Sequence, residues 1–407
     1  MANSETQSEN ISFKNIKLMP QEEMLELSTK RRQLVIGIPR EMQKIENRIA
    51  LTPQAVELLI ANGHRIIVEK NAGKAANYTD EQYAEAGADI AETKQEVFKS
   101  EMILKVSALS AEEIGFLHER QTVISSINFS SQTALKIKQL QEKRVTTVAF
   151  EYLKDENDSS PIVRSMNEIA GTASIMVASE YLSNVNGGKG VLLGGITGIT
   201  PTEVVVLGAG AASENAIRAA LGFGASVKVF DSSINKLREL KKVIGQSFFT
   251  SVLQPTVLKK ELKSADVVIG ALQLHDTEQQ FLISEQMIYD MKKGSVIIDL
   301  CINNATSIET SRLTDHNTPV FEKFGVIHYC VPNITSRFAR SASIALSNVI
   351  VPLLIKIGEA GGLRQQLKND IGIRQGVYIY KGILTNQYIG KTFGIPSKDI
   401  NLLTAAF

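Results

Sequence analysis

The residues best placed to do chemistry lie in Val204-Val205-Val206-Leu207-Gly208-Ala209-Gly210-Ala211-Ala212-Ser213. An apolar strand runs into a glycine-rich turn that opens a helix, and Val227-Lys228-Val229-Phe230 reads as a second strand ending on Asp231. Gly208 permits a tight turn, and Gly210 lets the backbone approach a pyrophosphate. Free N–H groups at Ala211 and Ala212, together with the helix dipole, favour an anion there. Asp231 follows Gly208 by 23 residues, close to the roughly 20 expected of a carboxylate that grips an adenine-ribose diol. A carboxylate at that point repels a 2′-phosphate, which favours NAD over NADP. Ser213 stands where a third glycine is usual, so the helix is expected slightly farther from its strand. A G-x-G alone is weak evidence, but both strands, the helix and the acid make it specific. The bland alternatives are an empty doubly wound domain and an Asp231 that only caps a helix.

Two cations could act on a small anionic substrate. Arg48 closes the polar stretch Glu46-Asn47-Arg48 just before a helix that Pro53 can start. A guanidinium fork there would clamp a carboxylate through two hydrogen bonds; the plainer reading is a surface arginine. Lys105 follows the strand-like Met102-Ile103-Leu104. At the carboxyl end of a parallel strand a lysine faces the crevice where such sheets bind ligands. A crowded ammonium there can polarise a carbonyl, and its pKa can move toward working pH; the alternative is a solvated strand-end lysine.

The elements that must hold these groups alternate between strand and helix. Strands are predicted at 34–38, 65–69, 102–106, 122–127 and 145–151, with helices at 53–62 and 80–86 between them. A long helix over 166–184 and a glycine-rich connection over 186–201 lead into the second alternating unit. Its strands are predicted near 204–207, 226–230, 267–271, 295–300 and 326–329. Residues 341–358 return to helix, with a kink expected at Pro352. Such alternation implies parallel sheets covered on both faces. The N-terminal stretch 1–33 reads as a polar extension with a short helix near 21–31.

Composition narrows the class. A chain of 407 residues is too long for one ordinary core and implies two domains. With 43% hydrophobic and 21% charged residues and a net charge of +1, nothing points to nucleic acid or a membrane surface as partner. Residues 1–16 lack an apolar signal core, and no apolar run reaches about 18 residues. Cys301 and Cys330 read as buried structural thiols of a reducing compartment, so a cytoplasmic location is expected. The histidines share no metal-ligand spacing, and no metal is expected.

The chain resembles the alanine dehydrogenases, whose superfamily includes the nucleotide-binding part of proton-translocating transhydrogenase. The resemblance runs from about residue 34 to the C-terminus. It rests on Ile38-Pro39-Arg40-Glu41, Glu46-Asn47-Arg48-Ile49-Ala50-Leu51-Thr52-Pro53, Ile103-Leu104-Lys105-Val106, Met166-Asn167-Glu168, Gly187-Gly188-Lys189-Gly190, the Gly208 turn and Tyr329-Cys330-Val331-Pro332-Asn333. It implies an α/β fold of two doubly wound parallel-sheet domains. A Rossmann NAD domain, 161–339, is inserted into a discontinuous substrate domain, 34–160 and 340–407, commonly in a homohexamer. It also implies NAD-dependent oxidative deamination of L-alanine to pyruvate and ammonia, and the reverse.

By the same resemblance Arg48 holds the substrate carboxylate, Lys105 binds the carbonyl oxygen, and Asn167 and Asn333 lie near the cofactor. Two positions depart from the pattern. Asn128 stands where the family places a histidine, and Asn303 where it places an aspartate. Both are expected to orient substrate by hydrogen bonds, but an amide does not titrate near neutrality. Lys105 is then the one matched residue expected to take or give a proton. Alternatives follow: a catalytically weakened NAD-binding homologue acting as sensor or partner, or a dehydrogenase for another amino or imino acid. Arg164, Arg337 and Arg340 are read as salt-bridged surface residues in preference to ligands for a more acidic substrate.

Overall fold

The computed structural model describes residues 31–41, 46–272, 282–303 and 306–405. The polar extension through residue 30, almost all of the helix expected near 21–31, and His275 lie outside that set. Among the described residues fifteen strands form two sheets. In chain order they are β1 Val35–Ile38, β2 Arg65–Glu69, β3 Asp89–Ala91, β4 Met102–Leu104, β5 Thr122–Ser125 and β6 Thr146–Ala149. There follow β7 Glu203–Leu207, β8 Ser226–Asp231, β9 Phe249–Val252, β10 Val267–Gly270, β11 Val296–Asp299, β12 Val320–Lys323 and β13 Val326–Tyr329, with β14 Val377–Tyr380 and β15 Ile383–Leu384 at the end.

The first sheet has the order β15-β14-β6-β5-β4-β1-β2-β3, and the second β12-β13-β11-β10-β7-β8-β9. Most pairings are parallel, and the central strands of both sheets are apolar on both faces, as a sheet buried between helices requires. The antiparallel pairings involve β12, β14 and β15. The C-terminal part therefore adds two strands to the first sheet besides the expected helix, and β3, β9 and β12 also go beyond the sequence reading.

Each sheet reverses its strand order at one point, between β1 and β4 in the first and between β7 and β10 in the second. Ligand crevices open at the carboxyl ends of strands at such reversals. Arg40 and Glu41 follow β1, Lys105 follows β4, and the Gly208 turn follows β7.

Local chemistry sets the ends of the elements around these points. Thr52 caps the helix Pro53–Ala61, accepting from the Ala55 N–H, with Pro53 in the first turn. Ser110 and Glu113 close a reciprocal capping box on the helix Ala111–Phe116, which satisfies two end donors at once. The helix Ala339–Glu359 continues through Pro352, which is exposed. The segment Ile334–Glu359 is long and apolar enough to cross a membrane by length and composition. Half of its 18-residue apolar stretch is buried, however, and Leu346, Ile350, Leu354 and Ile357 pack in the first sheet's core.

Candidate active site

A cleft of about 590 Å³ collects residues that follow strand carboxyl ends in both sheets. Ser107 lies beyond β4, Asn128 beyond β5, Glu151 beyond β6, Asn303 beyond β11 and Asn333 beyond β13; Glu46, Arg48, Ser126, Tyr152, Thr314, Asp315 and His316 add to its polar lining. Grooves of about 780 and 730 Å³ lie beside the loop 154–158 and at the amino ends of β4 to β6. The carboxyl-end geometry singles out the smaller cleft.

Arg48 reaches the cleft on a loop pinned to the C-terminal helical region by serines. Ser336, Ser343 and Ser347 accept from the backbone N–H groups of Asn47, Ile49 and Thr52 at 2.7, 2.9 and 3.0 Å. The Arg48 side chain is 12% exposed, and its Nε and Nη2 donate to Glu46 at 2.7 and 2.6 Å. Nη1 points to Met166 Sδ at 3.2 Å. Glu46 thus consumes one edge of the guanidinium fork. The end formed by Nη1 and Nη2 keeps protons for a second anion. Burial works against the Glu46 carboxylate, yet Arg48 outweighs it and holds Glu46 below its ordinary value.

Lys105 does not line the cleft. Its Nζ donates to Glu113 at 2.9 and 3.1 Å and lies 3.5 Å from Glu41, with the lysine side chain 2% exposed. Burial opposes the ammonium, but Glu41 and Glu113 outweigh it and hold its pKa above the ordinary lysine value. The expected shift toward working pH is thus reversed in direction: the two carboxylates favour the charged ammonium, which can donate hydrogen bonds. Glu41 also accepts from Ser107 Oγ and the Val106 N–H, so the Lys105 network reaches the cleft wall through Ser107. The two cations are electrostatically linked, since Glu41 acts on both Lys105 and Arg48.

Asn128 sits at φ 40° and ψ 74° in the left-handed region, which asparagine tolerates better than most residues. Glu151 holds this turn, accepting from the N–H groups of Ile127 and Asn128 at 3.0 and 3.2 Å and from Ser126 Oγ. Asn303 also lines the cleft, which places both amides on the same wall system as Arg48. Asn167 lies half-buried on the helix Pro161–Leu182 and outside the cleft lining.

The nucleotide turn fits a pyrophosphate. Gly208 has φ 102°, and a Cβ there would meet Ala271 O at 2.7 Å. Gly210 is exposed with open space where a Cβ would stand, and no side chain caps the helix Ala211–Gly222 that it begins. The N–H groups of Ala211 and Ala212 therefore belong to an uncapped first turn, the arrangement that binds anions. Gly171 brings a second helix against this one so closely that a Cβ would lie 2.1 Å from Ala212 O, which fixes the turn from behind. Ser213 is fully buried at the third-glycine position.

Asp231 is 1% exposed, and its oxygens accept the Ala209 and Ser233 N–H groups at 2.9 and 2.7 Å. Its carboxylate shapes the glycine turn, and each oxygen keeps a further lone pair for a hydroxyl.

Several groups were not assigned a role from sequence. Glu113 carried a detectable signal, the Ser110-to-Glu113 capping spacing, but its pairing with Lys105 depends on tertiary packing. Glu46 and Glu151 act on backbone turns. His316 Nε2 lies 3.1 Å from Asn333 Oδ1, and Asn333 Nδ2 lies 3.5 Å from Glu46 Oε2. Arg337 pairs with Glu180 and Arg164 with Glu168, in line with the salt-bridged surface reading, whereas Arg340 stacks on Tyr78 and donates to Asn77 O. Cys301 and Cys330 are buried and free, and burial pushes both thiols up to about 12. Among the described residues no cluster of three metal-ligating side chains occurs.

These features define an α/β protein of two mainly parallel sheets, with a nucleotide turn in one and a charged cleft lined from both. Residues 37–170 match the family described as "Alanine dehydrogenase/PNT, N-terminal domain", and residues 174–387 its C-terminal domain. The chain belongs to this family. It is similar to an alanine dehydrogenase of Methanococcus maripaludis, 36% identical over 365 residues that cover 89% of this chain and 97% of that enzyme. An alanine dehydrogenase 2 of Staphylococcus aureus is 34% identical, covering 90% and 98%. A solved L-alanine dehydrogenase superposes with a TM-score of 0.83 at 30% identity, covering 89% and 99%. A transhydrogenase of Sinorhizobium meliloti, at 23% identity and a TM-score of 0.74 with 87% and 99% covered, shares the fold.

Proposed function

We propose that the protein is an NAD-dependent oxidoreductase that deaminates L-alanine to pyruvate and ammonia and runs the reverse amination. The observation that carries this reading is the shared cleft: Arg48, from the first-sheet side, opens onto the same space as Asn303 and Asn333 beyond the second sheet's strands. When bound, NAD supplies the hydride acceptor for the alanine Cα. Gly208, Gly210 and the N–H groups of Ala211 and Ala212 would hold its pyrophosphate. Asp231 would meet the adenine ribose and disfavour a 2′-phosphate.

The free end of the Arg48 fork binds the alanine carboxylate and fixes the direction of Cα, which turns a bimolecular encounter into an oriented one. Lys105, held charged, acts through Ser107 and the local field on the developing carbonyl side. Asn128 and Asn303 orient nitrogen and water by hydrogen bonds. Asn167 and Asn333 belong to the nicotinamide side of this reading. The division into a substrate domain, 34–160 with 340–407, and a nucleotide domain, 161–339, is supported by sheet membership, because β14 and β15 return to the first sheet. A cytoplasmic homohexamer completes the reading; exposed apolar side chains such as Val185, Leu192 and Ile199 suit burial between copies. The test is reduction of pyruvate by NADH with ammonium, beside a panel of other 2-oxo acids. Pyruvate should be the best substrate; turnover confined to a larger acid would reassign the substrate.

A further inference from the structure

We propose that His316 is the proton-exchanging catalytic residue of the cleft, taking the proton of the attacking water and returning it to the departing nitrogen. This rests on the deaminase reading above and assigns a residue to its unfilled step. Among the described residues the cleft's polar walls consist of amides, a guanidinium, carboxylates, one histidine and the hydroxyls of Ser107, Ser126, Thr314 and Tyr152, whose phenol burial pushes up to about 12. Asn128, Asn303 and Asn333 do not titrate, and Arg48 and Lys105 stay charged. Glu46 is bound by Arg48, Glu151 by the 126–128 turn, and Asp315 by the N–H groups of Asn317 and Thr318 at 2.8 Å. His316 is the remaining cleft group among the described residues whose ordinary range lies near neutrality.

Its ring is held in one state by its neighbours. Glu46 accepts at Oε2, so the Asn333 amide turns Nδ2 toward it and Oδ1 toward His316. Nε2 therefore carries the proton and donates to Asn333, and Nδ1 is the basic atom. Burial is the main influence on the ring and pushes its pKa below the ordinary histidine value; Arg337 acts the same way, while Asn333 and Glu46 oppose. The imidazole is then neutral and ready to accept at neutral pH.

Water adds to the iminium carbon, its O–H bond breaks, and the proton passes to Nδ1. The same proton then moves to nitrogen, the C–N bond breaks as the C=O bond forms, and the hydroxyl proton leaves with ammonia as ammonium.

The test is the pH profile of kcat for His316→Gln, with NADH binding followed by fluorescence to report a folded site. The expected result is a fall in kcat of about 10²-fold or more, loss of the acidic limb, and NADH affinity within threefold. Turnover within threefold of the parent with the same limb would overturn the inference and leave the deaminase reading intact. A parent protein that binds NADH but turns over no 2-oxo acid would overturn both. Should His316→Gln fail to fold, Asn333→Ala serves instead: loss of its hydrogen bond should move the acidic limb to lower pH, and an unmoved limb overturns the inference.

Discussion

Lys105 Nζ lies 2.9 Å from Glu113 Oε2, with the two side chains 2% and 3% exposed. This ion pair joins the end of β4 to the first turn of the next helix, where Glu113 also accepts the Ser110 N–H at 2.9 Å. One carboxylate therefore caps a helix and neutralises a buried cation. Breaking such a pair from one side leaves an uncompensated charge, which costs about 3–5 kcal/mol.

Glu113→Gln should keep the cap, since glutamine serves at that position, but strand the ammonium. Unfolding in urea should show a loss of about 3 kcal/mol or more. A loss below about 1 kcal/mol would mean that Glu41 alone suffices for Lys105.

The same variant carries a pH signature. Despite burial, Lys105 pulls Glu113 below its ordinary value of 4.5. The pair's contribution is therefore present above pH 4.5 and is lost as pH falls through the lower folded value. Glu41 works in the opposite sense, because burial raises it despite Lys105. The stability profile of Glu113→Gln should be flatter than the parent's below pH 4.5, measured by urea midpoints across that range. An unchanged acid slope would contradict the assignment.

Two glycines two residues apart should behave differently. Gly208→Ala meets both a positive φ and the Ala271 carbonyl, so the folded state itself should lose about 1–3 kcal/mol. Gly210→Ala has φ −92° and open space, so its Tm should match the parent's while NADH affinity falls at least about tenfold, or 1.4 kcal/mol. Equal NADH affinity in parent and Gly210→Ala would place the pyrophosphate elsewhere.

Much of this arrangement was legible in the chain. The Gly208 turn was readable because only glycine suits its backbone, and the central strands because β-branched runs buried on both faces declare themselves. β14 was not, because Val377-Tyr378-Ile379-Tyr380 becomes a strand by pairing with β6, a contact far away in sequence. Arg48 and Lys105 were found as cations at strand ends. Their carboxylate partners decide what they do, and those partners arrive from other elements. For Lys105 they reverse the direction of the expected shift and favour the charged ammonium. His316 lay in a loop with no spacing signal; its place emerges only once Asn333 and Glu46 lie beside it.

Arg48→Lys should raise KM for pyruvate by roughly tenfold or more, because a charge-assisted hydrogen bond contributes about 1.5–3 kcal/mol and an ammonium lacks the fork. The effect on kcat should be smaller, since the clamp acts on bound substrate throughout. An unchanged KM would remove Arg48 from the substrate site.

The double variant Asn128→His with Asn303→Asp tests whether the cleft lacks a proton carrier. With His316 in that role, kcat should change less than tenfold. A rise of about 10²-fold or more, the scale of general acid–base assistance, would mark the natural chain as catalytically weakened.

The central claim is hydride transfer from alanine in the Arg48 cleft. It is tested most directly by following NADH formation from L-alanine and NAD beside an alanine-free blank, with pyruvate and ammonium measured in the same samples. The account predicts alanine-dependent NADH matched one for one by pyruvate and ammonium, and its near-complete loss in Arg48→Ala. No NADH above the blank at any pH where the protein stays folded would contradict it.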